Sequence, residues 1–165
     1  MISLICKQYG ITNYTINSDG SIDVSGNVNL SDKGLTELPL VFNRVTGWFN
    51  CSYNPLTTLK GSPRWVGSSF SCSKNKLKSL EFSPDYIGGF FNCSRNRLPS
   101  LEFSPDYIGG FFDCEYNNLT NNYCDSEIGG YFYTSLKQDR LTKDNYNEWR
   151  KMYKRKMILD DIFNM

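Results

Sequence analysis

The sequence predicts a β-dominated α/β solenoid, an array of 21-residue repeats with one short parallel strand in each. Two observations carry this prediction. The thirteen-residue run Ser79–Phe91 recurs unchanged as Ser100–Phe112, an offset of 21 residues, and self-similarity at such a period marks a repeat architecture. The same offset relates Leu30, Cys51, Cys72, Cys93 and Cys114, and it relates Leu35, Leu56, Leu77, Leu98 and Leu119. A repeat this short buries little alone, so its core has to come from stacking on its neighbours.

The solenoid is expected over residues 1–140, with 1–27 as an N-terminal cap and 28–140 as the repeats. After a mildly apolar lead-in, Tyr14–Val24 places alternating apolar residues around Asp19-Gly20, a turn dipeptide. This predicts a β-hairpin that covers the first turn, which would otherwise expose its core and a sheet edge. Within the repeats, Phe90–Ser94 reads as the strand. Side chains alternate across a strand, so Phe91 and Cys93 point to the core while Phe90, Asn92 and Ser94 face outward. Leu38, Leu59, Leu80 and Leu101 form a further column that ends at Asn122, and the last repeat is one residue short. The array is therefore expected to finish there. Residues 141–165 are expected to form a C-terminal capping helix. Thr142 is its cap, and Tyr146, Trp149, Met152, Tyr153, Leu159 and Phe163 share one face at helical spacing.

Composition narrows the function classes. The chain has 165 residues and a net charge of +1, so no bulk field points to nucleic acid. It has no His, which removes the commonest general base and metal ligand. No apolar run reaches the roughly 18 residues of a membrane span, and the N-terminus lacks a basic start followed by a long apolar region. These observations predict a soluble, cytoplasmic protein with reduced cysteines, no cofactor, no metal and no membrane partner. They leave the oligomeric state open.

The pattern Phe-x-Cys-x-x-Asn-x-Leu-x-x-Leu at Phe91–Leu101 resembles the leucine-rich repeat, with Phe and Cys in places usually held by Leu. The wording Cys-Ser-x-Asn-x-Leu, Ser-Pro and Ile-Gly-Gly-x-Phe is similar to leucine-rich-repeat-like proteins of tailed bacteriophages. So is the N-terminal Tyr-Thr-Ile-Asn-x-Asp-Gly-Ser-Ile-Asp-Val. The resemblance covers roughly residues 14–133. It implies a leucine-rich-repeat-like fold, a phage source, action in the host cytoplasm and a bacterial host protein as partner. It supplies no catalytic motif.

Several columns invite chemistry. The cysteines form a line one strand spacing apart, and a line cannot surround a zinc ion; a row of buried thiols is the expectation. Asn54, Asn75, Asn96 and Asn117 are expected to satisfy backbone groups of adjacent turns. The glycine pairs are expected to supply turn geometry. The outward face is more informative. Its first column reads Trp48, Ser69, Phe90, Phe111, Tyr131; its second Asn50, Ser71, Asn92, Asp113, Tyr133; its third Ser52, Ser73, Ser94, Glu115. Exposed aromatic patches mark contact sites. Five strands give roughly 400 Å² in projection, about half of one side of a standard interface. The loop flank of Tyr53, Lys74, Arg95 and Tyr116 would have to contribute as well. A basic cluster, Arg150, Lys151, Lys154 and Arg155, could meet phosphates or simply be a solvated helix face. For catalysis, Asp113 and Glu115 are adjacent on the open face, but no nucleophile motif accompanies them.

The expected function is a non-enzymatic protein–protein interaction module that binds, and by occlusion inhibits, a bacterial host defence protein through the open sheet face. The alternatives are a nucleic-acid-associated protein using the basic helix and a self-associating structural protein.

Overall fold

The computed structural model describes residues 1–121, 123–135, 144, 146–148 and 151–152. It is a β-solenoid in which every turn repeats the hydrogen bonds of the one before, at the 21-residue period. The chain opens with helix α1 (Ile2–Gln8), followed by β1 (Tyr14–Ile16) and β2 (Ile22–Val24). Each later turn contributes two short strands instead of the expected one. The first set is β4 (Phe42–Val45), β6 (Trp65–Val66), β8 (Tyr86–Ile87), β10 (Tyr107–Ile108) and β12 (Glu127–Ile128). The second is β3 (Val28–Asn29), β5 (Phe49–Asn50), β7 (Phe70–Ser71), β9 (Phe91–Asn92), β11 (Phe112–Asp113) and β13 (Phe132–Tyr133). They assemble into a seven-stranded sheet, β1-β2-β4-β6-β8-β10-β12, and a six-stranded sheet, β13-β11-β9-β7-β5-β3.

Stacking with this register puts each residue beside its equivalent one turn away. Phe49, Phe70, Phe91, Phe112 and Phe132 are in register along the six-stranded sheet. All five are fully buried, and neighbouring rings lie 4.9–5.8 Å apart. Cys51, Cys72, Cys93 and Cys114 are buried beside them, and Val45, Val66, Ile87, Ile108 and Ile128 of the other sheet belong to the same core. The strands of the six-stranded sheet span only two residues each, but the ladder runs further. Phe91, Cys93 and Arg95 N–H groups donate to the carbonyls of Phe111, Asp113 and Glu115 at 2.9 Å.

The asparagines do what their spacing predicts. Asn75 Nδ2 donates to the carbonyls of Cys51 (3.1 Å) and Cys72 (2.9 Å), while its Oδ1 accepts from Leu56 N–H at 3.1 Å. Asn54, Asn96 and Asn117 repeat the arrangement one turn apart. The glycines have a different reason from the one expected. Among Gly67, Gly88, Gly89, Gly109, Gly110, Gly129 and Gly130 none has a positive φ. They are small because successive turns touch there: a Cβ on Gly88 would lie 2.2 Å from the Gly67 carbonyl oxygen, and one on Gly109 2.2 Å from that of Gly88.

Both ends are covered. In front, β1 pairs antiparallel with β2. Their connection is a loop over Asn17–Ser21, closed by Asn17 N–H to Ser21 O at 2.8 Å, so Asp19-Gly20 sits inside a longer turn. Helix α1, which the lead-in did not announce, buries Cys6 and packs Ile2, Ile5 and Tyr9 onto the core. At the back, residues 144, 146–148 and 151–152 are helical. Tyr146 is fully buried, with its ring 5.0 Å from Phe132 and its hydroxyl donating to the Cys124 carbonyl at 2.9 Å. Met152, expected on the same buried face, is exposed instead. The expectations for Asn122, Thr142, Trp149 and residues 153–163 lie outside the described residues.

Candidate functional site

The outer face of the six-stranded sheet carries the first column as predicted. Phe90 and Phe111 stack with centroids 4.7 Å apart and planes 4° from parallel. Tyr133 meets Phe111 edge-on at 5.7 Å, and Tyr131 lies 6.2 Å from Tyr133. Trp48 and Tyr131 are 36% and 47% exposed, a large amount for rings this size. Ser69 interrupts the column. Its hydroxyl accepts the Phe90 N–H at 3.2 Å, as Asn27 Oδ1 accepts that of Trp48 at 3.0 Å.

The second column has a backbone duty. Asn50, Asn92 and Asp113 each accept, through Oδ1, the N–H two residues on, that of Ser52, Ser94 and Glu115, all at 3.0 Å. Burial raises the Asp113 pKa from its ordinary value, against the lowering effect of the Glu115 N–H. Asp113 and Glu115 are thus neighbours joined through a turn. The third column differs from expectation: Ser52, Ser73 and Ser94 are buried. Ser52 and Ser71 hydroxyls share a hydrogen bond at 2.7 Å, Ser73 donates to Ser52 at 3.2 Å, and Ser94 donates to Asn92 at 2.7 Å. These hydroxyls bond to neighbouring side chains of the same sheet face, and only Glu115 of that column stays half-exposed.

The loop flank forms cation–aromatic pairs. Lys74 lies over the Tyr53 ring at 4.2 Å and donates to its hydroxyl at 2.8 Å, and Arg95 lies over Tyr116 at 4.2 Å. All four residues have φ between 54° and 58°, a conformation that non-glycine residues pay for. The basic cluster is barely described. Lys151 is exposed, whereas Arg150, Lys154 and Arg155 lie outside the described residues.

Two features escaped the sequence reading. The outer face of the seven-stranded sheet carries a second aromatic column in register: Arg44, Trp65, Tyr86 and Tyr107. The Arg44 guanidinium sits 3.4 Å from the Trp65 centroid, Trp65 stacks on Tyr86 at 5.5 Å, and Tyr86 on Tyr107 at 5.0 Å. Along each turn this column and the first are separated by the glycine lane, as Tyr86 and Phe90 are by Ile87-Gly88-Gly89. The signal was present, since these residues are 21 apart and aromatic. The second feature is a depression of about 610 Å³ beside Phe82 and Phe103. Both rings are at least half exposed, at φ 68° and 62°, on the position that Gly61 holds with φ 94°. Ser62 and Ser83 hydroxyls hold the Phe82 and Phe103 carbonyls at 2.9 and 2.6 Å. Gly61 in the aligned repeat was the available clue.

Burial pushes the Cys51 thiol up to about 12 and those of Cys72, Cys93 and Cys114 well above the usual value. These sulfurs stay protonated and inert at neutral pH. Among the described residues no cluster of three or more Cys, Asp or Glu is placed to hold a metal ion, and no helix is long and apolar enough to cross a membrane.

No family model, curated protein or solved structure matches the chain.

Proposed function

We propose that this protein is a non-enzymatic binding module that docks a partner protein across the two outward aromatic columns. The observation that carries the reading is the pair of ring ladders, Trp48–Phe90–Phe111–Tyr131 and Trp65–Tyr86–Tyr107, lying on either side of a glycine lane. Solenoid strands hold these rings at fixed spacing, so little ordering entropy remains to be lost on binding, and rigid aromatic groups make the best anchors. Area supports the same reading. One sheet face offers roughly 400 Å²; the second about doubles that and reaches the ~800 Å² per partner of a standard interface. The contribution of Tyr53, Arg95 and Tyr116 then becomes peripheral. The resemblance of the repeats to those of phage proteins directs the search to bacterial host proteins, with inhibition by occlusion as the working mechanism.

The test is capture from bacterial lysate by the wild type and by a Phe90→Ser/Phe111→Ser/Tyr131→Ser variant of matched thermal stability. The expected result is one protein retained by the wild type and lost at least ten-fold by the variant. Retention of the same proteins by both would sink the reading.

A further inference from the structure

The aromatic ladder of the six-stranded sheet has a gap, and the gap has the dimensions of one ring. Trp48, Ser69, Phe90 and Phe111 are one residue before Phe49, Phe70, Phe91 and Phe112, which are in strict register. Trp48 and Phe90 are therefore two strand spacings apart, about 9.6 Å. Where no residue is missing, Phe90 and Phe111 stack at 4.7 Å. A single ring entering above Ser69 would sit one such step from each wall. The space is there: a depression of about 410 Å³ is lined by Trp48, Asn50, Ser68, Ser69, Ser71 and Phe90, with Phe49 at its base. Its floor makes no demand on the visitor, because the hydroxyls of Ser69 and Ser71 and the Asn50 amide oxygen already have partners.

We infer that this slot takes an aromatic side chain of a partner protein, one that completes the ladder between Trp48 and Phe90. The inference rests on the partner-binding reading and specifies its anchor. Charge decides the kind of molecule that brings the ring. The charged residues in the three outward columns are Asp113 and Glu115, with no Lys or Arg among them. Within these columns a basic side chain finds a partner at Asp113 and Glu115, while Lys74 and Arg95 on the adjoining flank are already engaged over Tyr53 and Tyr116. From the slot to Asp113 is two strand spacings across and two residues along, roughly 12 Å. An extended polypeptide covers that in about three or four residues. The partner segment is thus an aromatic residue followed or preceded, at that distance, by Lys or Arg.

The experiment is a two-dimensional NMR titration of the full chain with three probes: the capped peptide Trp-Gly-Gly-Lys, the capped peptide Leu-Gly-Gly-Lys, and an eight-nucleotide oligothymidine. The tryptophan peptide is expected to shift the Trp48 indole N–H and the Ser69 and Phe90 amides, with the leucine peptide at least ten-fold weaker. Ser69→Phe fills the gap from within and should abolish the shifts. Trp48→Leu removes one wall and should weaken them ten-fold. Melting curves confirm that both variants remain folded. Asp113→Asn/Glu115→Gln should weaken the tryptophan peptide several-fold. Equal response to the leucine peptide, undiminished response in folded Ser69→Phe, no response, or a response at the slot only to the oligonucleotide would each overturn the inference. So would slot signals that move on simple dilution, which would make the occupant a second copy of this chain. The two readings fail separately. Capture of a partner lost in the Phe90/Phe111/Tyr131 variant but kept in Ser69→Phe would leave the binding face standing and remove the slot.

Discussion

A single asparagine in each turn ties together three strands' worth of backbone. Asn75 bonds two carbonyls and one N–H, all buried, and no other side chain supplies both donor and acceptor at that reach. Asn75→Ala strands the Leu56 N–H, while the Cys51 and Cys72 carbonyls keep the amides of Asn54 and Asn96. At about 1–3 kcal/mol for a buried group left unsatisfied, the expected loss is roughly 1–3 kcal/mol, measured by urea unfolding. The cysteines set a pH limit. Their folded pKa values are raised, Cys51 to about 12, while an unfolded thiol titrates near 8.5. The unfolded chain sheds these protons first, so the stability from Cys51, Cys72, Cys93 and Cys114 is complete below about pH 8.5 and is lost as pH rises toward 12. Melting temperature should fall steeply across that window, and Cys51→Ser/Cys72→Ser/Cys93→Ser should flatten the slope. Phe82 is the opposite case: half exposed and held at φ 68°, it costs the fold about 1 kcal/mol. Phe82→Gly should leave stability unchanged or raise it by up to ~1 kcal/mol. A loss above 2 kcal/mol would assign the ring to the core.

At the scale of the element, close approach governs the glycine lane. Gly88→Ala drives a methyl to 2.2 Å from the Gly67 carbonyl oxygen, and the stack has to open. The expected cost is about 2 kcal/mol or more. Gly34→Ala meets nothing within 4 Å and pays only for its φ of +67°, about 1 kcal/mol. The difference between the two melting temperatures checks the assignment. This lane also shows where sequence was informative. Columns with a steep chemical requirement, the core Phe, the buried Cys and the amide Asn, were legible because the same side chain recurs through four or more turns at or near the 21-residue period. The second sheet was not, since Trp65-Val66 or Tyr86-Ile87 is too short for a period-two pattern to register. The burial of Ser52, Ser73 and Ser94 was hidden because a hydroxyl is as acceptable exposed as covered once it has a partner. Helix α1 spans seven residues, fewer than helical periodicity needs to stand out.

For the molecule as a whole, repetition converts one-residue choices into surfaces. An aromatic residue in the right place in one turn becomes a ladder over several, and a serine in that place becomes a slot. Of the site anticipated from sequence, Phe90, Phe111, Tyr133 and Tyr131 form one continuous ring patch with Trp48 across the gap at Ser69, whereas Asn50, Asn92 and Asp113 serve the backbone first. The patch was legible because strand alternation dictates which residues face out; its counterpart, Trp65 to Tyr107, required knowing that a second sheet existed. The central claim is that a partner covers both ladders together. Hydroxyl-radical footprinting of the captured complex tests it side chain by side chain. The account predicts protection of Trp48, Phe90, Phe111, Tyr86 and Tyr107, with Phe82 and Phe103 oxidised as in the free protein. Protection confined to Phe82 and Phe103, or to the helical residues after 143, would contradict it.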